Sequence, residues 1–245
     1  MEHKYTAIIL GKYDVGETDR IYIIYTLEQG KIRALAKGVR RAEAKLPGFL
    51  ENFTFAGITV AKNRGMGKIT SSIVENPFSS LRRNYDALLK VFSTVNIFNK
   101  LVTDFEHKDE DVFNILKEYL EAVDSQSLFF LETEKDEFEK KLDLLTTVFV
   151  LKLLNYSGYG SEINCCSQCG DQIEKENLHF SAKSGGIICN KCLGETGSQL
   201  KLSSNAVKLM RIALVNSIKS FNKIKVDKGD INLVKIAISE ILGWI

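Results

Sequence analysis

All five cysteines of this 245-residue chain fall between positions 165 and 192. Four of them form two C-x-x-C pairs, Cys166 with Cys169 and Cys189 with Cys192, with nineteen residues between the pairs. A C-x-x-C turn sets two thiolates on one edge of a tetrahedron, and a second pair completes it with no position left for water. A closed site of this kind is structural. Its metal supplies folding energy to a segment too small to hold itself together. The spacing predicts a structural zinc on Cys166, Cys169, Cys189 and Cys192, in a ribbon-like module that turns at Gly185–Gly186. Iron held by four thiolates uses the same donors and stays open. Cys165 is expected to point away from the metal. Two paired motifs fit a tetrahedral site better than a redox dithiol. A zinc deaminase would need an H-x-E partner, and His3, His107 and His179 offer none. His179 reads as a half-buried strand residue.

A second stretch carries chemistry of another kind. Gly30 to Lys45 holds six cations, Lys31, Arg33, Lys37, Arg40, Arg41 and Lys45, against the single acid Glu43. Its first half alternates, with Ile32, Ala34 and Ala36 on one strand face and Lys31, Arg33, Leu35 and Lys37 on the other. The expectation is that the first face buries while the second presents a row of cations. Gly38 then ends the strand, and Arg40–Arg41 carry the charge into a loop. Such a row suits a phosphate backbone, because each neutralised phosphate releases condensed counterions. A solvated charged face would look the same in sequence.

The elements that must position these groups follow from periodicity. Residues 1–75 read as all-β, with runs at Tyr5–Leu10, Arg20–Thr26, Lys31–Lys37, Gly57–Lys62 and Lys68–Val74 between glycine-containing turns. Gly30 sits where a hairpin needs a permissive backbone. Five short strands make a small barrel, and an OB-fold, whose strands and loops bind oligonucleotides, or an SH3-like barrel both fit. Tyr22 and Tyr25 are candidates for base stacking, although they fall on opposite strand faces and at least one is expected in the core. Asn76–Pro77 closes the barrel. From Tyr85 to Phe105, Leu88, Leu89, Phe92, Val95, Phe98, Leu101, Val102 and Phe105 recur at helical spacing. Asp109, Glu110 and Asp111 open a second helix, where acids suit the positive dipole end. A third runs from about Lys140 to Tyr156. The acids from Glu132 to Glu139 read as a solvated face or loop, and Phe129, Phe130 and Phe138 as core. Beyond the cysteines, Ser203 or Ser204 caps a helix reaching Ser217. A basic stretch follows from Lys219 to Lys228, and a last helix from Asp230 to Trp244 is expected to dock on the earlier ones. The cysteine module would then interrupt a helical domain.

Net charge is only +2, but its distribution is uneven: +4 over residues 1–80, −5 over 81–160 and +3 over 161–245. The three segments are read as having different jobs. No apolar run is long and charge-free enough to span a bilayer. The first residues carry no leader-type cleavage site, so a cytoplasmic protein without membrane partners is expected. There is no P-loop, no G-x-S-x-G and no dinucleotide fingerprint. Gly65-Met66-Gly67-Lys68 reads as a hairpin turn, and Asp14, Glu17 and Asp19 as loop-shaping acids that pair with Arg20. No enzyme activity and no small-molecule substrate are expected.

Gly16-Glu17-Thr18-Asp19-Arg20, Thr26, Gly30-Lys31 and Lys37-Gly38-Val39-Arg40-Arg41 together resemble the N-terminal signature of the bacterial recombination mediator family RecO. Cys166-x-x-Cys169-Gly170, Phe180-Ser181, Gly185-Gly186 and Cys189-x-x-Cys192 resemble its zinc module. The resemblance implies an α+β multidomain chain, with an N-terminal OB-fold β-barrel followed by an α-helical domain carrying a four-cysteine zinc-finger insertion. The boundaries read above would place the barrel at 1–78, the helical domain at 79–160 and 199–245, and the zinc-finger module at 161–198. It further implies binding of single- and double-stranded DNA, annealing of complementary strands, and RecR-assisted loading of RecA onto strands coated by single-stranded-DNA-binding protein. That work belongs to double-strand break and gap repair in the bacterial cytoplasm, at the nucleoid, and uses no nucleotide cofactor. Lys31, Arg33, Lys37, Arg40 and Arg41 match the basic region assigned to DNA, and Lys45 extends it. A zinc-braced protein-interaction scaffold without direct DNA binding is the alternative.

Overall fold

A computed structural model describes residues 1–41, 50–62, 65–103, 109–129, 135–173, 178–193 and 199–245. The chain divides into two compact units, Met1–Ser125 and Gln126–Ile245.

The first unit is built on five strands: β1 (Glu2–Val15), β2 (Asp19–Thr26), β3 (Gly30–Ala36), β4 (Phe55–Ala61) and β5 (Gly67–Asn76). They close into a barrel in the order β1-β2-β3-β5-β4. Every pairing is antiparallel except β3 with β5, which is parallel and covers only Ala34↔Gly67 and Leu35↔Lys68. This is the five-stranded OB arrangement expected from the sequence. The long first strand serves two neighbours. It pairs with β4 over its first half and β2 over its second, with a register irregularity between Ile9 and Gly11. Such a bulge bends a strand from one side of a barrel to the next. Alternate residues fill the interior, among them Ala7, Ile9, Tyr22, Ile24, Ile32, Ala34, Ala36, Ile58, Val60 and Ile69. The alanines leave room for Tyr22 in a narrow barrel. Gly30 adopts φ +66° at the β2–β3 hairpin, the left-handed region that favours glycine.

Helices α1 (Ser79–Arg83), α2 (Tyr85–Leu101) and most of α3 (Glu110–Phe129) belong to the same unit as the barrel. Aromatic packing joins these helices to the barrel. Tyr25 points out of the barrel, meets Phe98 of α2 edge-on at 5.0 Å and stacks on Phe113 of α3 at 6.2 Å. Phe55 of β4 packs on Phe113 at 6.3 Å. Tyr22 is equally buried, on the inner face. Neither tyrosine presents a face for base stacking, which corrects the sequence expectation. Asn84 caps α2 by accepting from the Ala87 N–H, and Asp109 caps α3 by accepting from the Val112 N–H. The periodic residues Val95, Phe98, Leu101 and Val102 bury as expected, but Leu89 and Phe92 stay exposed, and Phe105 lies outside the described residues.

The second unit centres on α4 (Lys135–Tyr156), packed by α5 (Ser204–Val215) and α6 (Lys228–Leu242). The last helix docks on an earlier one, as the sequence implied. Buried residues lie on all sides of α4, from Phe138 to Leu154, as befits a helix surrounded by others. Its start takes in Asp136, Glu137 and Glu139, all exposed, so the expected solvated face of acids is helical. Phe138 is core, Phe129 is exposed, and Phe130 lies outside the described residues. Ser203 caps α5 by accepting from the Ala206 N–H. Two buried lysines of α4 satisfy backbone carbonyls of later segments. Lys141 donates to the carbonyls of Phe221 and Ile224, and Lys152 to that of Leu214. Between α4 and α5 stands a small sheet, ordered β7 (Gly186–Ile188), β6 (Leu178–Ser181), β8 (Leu200–Leu202). Among the described residues, no helix is long and apolar enough to cross a membrane.

Candidate nucleic-acid interface and metal centre

The cations of β3 and its following turn separate into two environments. Lys31 is a correction to the sequence reading. It lies on the outward face of β3, but the end of α2 covers that position, leaving it 5 % exposed. Its ammonium donates to the carbonyls of Asn99, at 3.1 Å, and Val102, and so satisfies acceptors at the end of α2. Cations suit a helix C-terminus, where the last carbonyls lack intrahelical donors. Arg33, Lys37, Arg40 and Arg41 are exposed, and Lys45 lies outside the described residues.

Lys37, Arg40 and Arg41 are held by the turn between β1 and β2. The Asp19 carboxylate accepts from the Gly38 N–H at 2.8 Å and from the Thr18 hydroxyl at 3.0 Å. The Arg40 N–H donates to the Thr18 carbonyl at 3.0 Å. Asp14 accepts from Arg20 at 2.6 Å and pairs with Arg40 at 3.3 Å. Gly38 has φ +66°, and the Arg41 side chain folds over it. The acids bear the electrostatic signature of this brace. The Gly38 N–H, then Thr18 and the charges of Lys37 and Arg41, hold the Asp19 carboxyl below its ordinary range. Arg20 first, with Arg40 and Lys12, does the same for Asp14. Two acids thus fix a turn that carries three exposed cations.

The cysteines converge as their spacing predicts. The Sγ atoms of Cys166, Cys169, Cys189 and Cys192 all lie within 4.8 Å of one another, placed to hold a metal ion. The Cys169 and Cys189 sulfurs are 3.7 Å apart. Metal–sulfur bonds of about 2.3 Å set a tetrahedral edge of about 3.8 Å, so the donor set fits. Cys165 and His179 lie outside the cluster. Burial pushes the Cys166 thiol up, but N–H groups of Cys169, Cys189 and Gln168 outweigh it and bring it to about 6. Cys192 is pushed up to about 12 by hydrogen bonds with the Cys169 and Cys189 thiols. Without a cation, four adjacent sulfurs compete for one negative charge; a bound metal ionises them together.

The loop carrying the first pair is clasped to β7. Glu162 donates its N–H to the Gly185 carbonyl and accepts from the Ile187 N–H, both at 2.8 Å, and Ser167 donates to the Ile187 carbonyl at 2.8 Å. A Cβ on Gly186 would lie 2.2 Å from the Glu162 carbonyl oxygen, so only glycine permits this approach. Arg211 of α5 donates twice to the Ile163 carbonyl, at 2.9 and 2.7 Å, and ties the module to the helices of its unit.

Two family models match the chain, recombination protein O N terminal over residues 1–78 and recombination protein O C terminal over residues 97–244. This chain belongs to the RecO family. A protein of Dehalococcoides mccartyi named DNA repair protein RecO is 28 % identical over 97 % of this chain and 88 % of its own length. A protein of the same name from Alkaliphilus metalliredigens is 28 % identical over 91 % of this chain and 85 % of its own. Another from Halalkalibacterium halodurans is 26 % identical over 86 % and 77 %. Two of the segments on which the resemblance was read, residues 16–20 and 37–41, are the two sides of the Asp19–Gly38 brace. What sequence reasoning missed in this RecO-family chain was the Glu162–Gly186 clasp and the Arg211 tie. Only the Gly185–Gly186 pair hinted at the first.

Proposed function

We propose that this chain acts in DNA repair as a recombination mediator that binds single- and double-stranded DNA and anneals complementary strands. With RecR it helps load RecA onto strands coated by single-stranded-DNA-binding protein, in double-strand break and gap repair in the bacterial cytoplasm. It catalyses no covalent step. The observation that carries the reading is the braced turn, with Lys37, Arg40 and Arg41 exposed side by side on an OB barrel. Arg33 adds a fourth exposed cation on β3. Complementary strands repel along their backbones, and a cationic surface lowers that repulsion so that pairing can nucleate. Backbone contacts carry no sequence preference, which suits a general annealing factor.

The four cysteines are assigned a structural zinc. The donors are all sulfur, and four of them fill a tetrahedron and leave no reactive position. Cys166, Cys169, Cys189 and Cys192 would hold the ion, whose contribution is folding energy for residues 161–198.

The test is charge reversal of Lys37, Arg40 and Arg41 together. The variant should still fold, with a melting temperature lowered by the like charges now facing Asp14 and Asp19, and lose both single-strand retention and annealing of complementary oligonucleotides at low salt. Annealing at the wild-type rate would show that the surface lies elsewhere. A wild-type protein that retains no DNA at low salt would favour the zinc-braced scaffold, for which the pairing of Arg40 with Asp14 already consumes part of the charge.

A further inference from the structure

A cavity of about 310 Å³ opens on the barrel between β3, the end of β4 and the residues Gly65–Gly67 that lead into β5. It exists because of the strand pairing. β5 meets β3 only at Ala34 and Leu35, so the first half of β3, Gly30–Arg33, runs on beyond its neighbour. The start of β5 lies against β4 instead. Gly67 packs so tightly there that a Cβ on it would lie 2.3 Å from Val60 Cγ1. Ile32, Val60, Met66 and the ring of Tyr5 give the cavity an apolar lining. Arg33 and Lys62 bring cationic side chains to it, and Gln29 an amide. Tyr5 is fixed in place, because its hydroxyl donates to Gln29 Oε1 at 2.8 Å and His3 stacks beside its ring at 6.2 Å.

We propose that this cavity receives one unstacked base of a single-stranded DNA chain. The chemistry selects that class. A base is a flat ring with two apolar faces and a hydrogen-bonding edge, joined through its sugar to phosphodiesters that each carry one negative charge. The lining supplies an apolar slot, the Gln29 amide for the edge, and two cations for the flanking phosphates. The size agrees, since cavities that take small ligands begin at about 300 Å³. The lining is pre-formed, so little ordering is needed on binding. A base inside a duplex is paired and stacked and cannot enter, so the cavity favours single strands over duplex. It is distinct from the braced turn: Arg33 and Lys62 sit by the cavity, whereas Lys37, Arg40 and Arg41 follow the far end of β3. The inference rests on the proposed DNA binding and adds a base-dependent component to it.

The experiment compares retention of a thymidine oligonucleotide with that of an abasic strand of equal length and charge, at one salt concentration. Base contacts of this kind are worth a fewfold to a hundredfold in affinity, so the wild-type protein should prefer the thymidine strand at least about fivefold. Met66→Ser removes an exposed lining side chain without changing charge. It should reduce the preference to about twofold or less, with the melting temperature and duplex affinity unchanged. In a bromouracil-substituted strand, irradiation should cross-link to a peptide containing Tyr5 or Met66. Thymidine monophosphate at millimolar concentration should leave the strand bound. Equal retention of thymidine and abasic strands overturns the base cavity while leaving DNA binding intact. An undiminished preference in Met66→Ser, or displacement by micromolar monophosphate, overturns the assignment to a strand at this cavity. Retention of neither strand overturns the proposed function itself.

Discussion

Lys31 and Lys37 stand six residues apart on one strand and its turn, and look alike in sequence. Their environments make opposite predictions. Lys31 neutralises carbonyls at the end of α2 from a buried position. In Lys31→Met those acceptors lose their donor, which costs about 1–3 kcal/mol. The melting temperature should fall by roughly 2–10 °C, while the salt dependence of DNA binding stays as in the wild type. Lys37→Ala should do the reverse. Its melting temperature should be unchanged, and the slope of log affinity against log salt should fall by about 0.7 for single strands. Thermal melts and salt titrations of the two variants decide both. The alternation of this stretch was legible in the sequence, because Ile32, Ala34 and Ala36 do bury. The fate of the outward face was not. That depended on where α2 ends, some seventy residues later, and on Tyr25 presenting an apolar outer surface for helices to cover.

At the scale of elements, the metal module shows how a short sheet positions ligands. β7 delivers Cys189 directly after Ile188, and the clasp between Glu162 and β7 brings the first cysteine pair against it. The buried Cys166 then accepts from the Cys189 N–H at 3.4 Å. Gly186→Ala would force the Glu162 loop away from β7. It should weaken metal retention about tenfold or more, the scale seen when groups that orient metal ligands are removed. Competition with a chromogenic chelator measures this, and an unchanged off-rate would show that the clasp does not position the ligands. The four sulfurs were legible because C-x-x-C pairs have few geometric outcomes. The clasp was not, since a Gly-Gly pair marks a turn without saying which backbone passes beside it. That five strands make a small barrel was likewise legible from strand number and spacing, but the choice of OB over SH3-like order was not, because it depends on which strands pair. The barrel's continuation into α2 and α3 was not, because helical periodicity records that a face is buried and not what buries it.

At the scale of the whole molecule, the exposed cations and the sulfur cluster lie in different compact units. Lys37, Arg40 and Arg41 are in Met1–Ser125, and all four clustered sulfurs are in Gln126–Ile245. The brace that orients the cations draws only on residues 14–41, and its hydrogen bonds are complete without the second unit. A four-sulfur site offers no open position to a phosphate or a base. The two sites should therefore respond independently to metal removal. Treating the full-length protein with a thiol-compatible chelator should destabilise the second unit, because a structural metal on the four sulfurs would be coupled to folding there. The melting transition should broaden or split as one unit loses stability before the other. Single-strand affinity at fixed low salt should stay within about twofold of the metal-loaded protein, since the phosphate contacts that set it are unchanged. Calorimetry and a gel-shift titration on the same chelated sample provide the comparison. If affinity collapses while the first unit still melts at its original temperature, the cysteine module lies in the DNA path and the braced turn is only part of the binding surface.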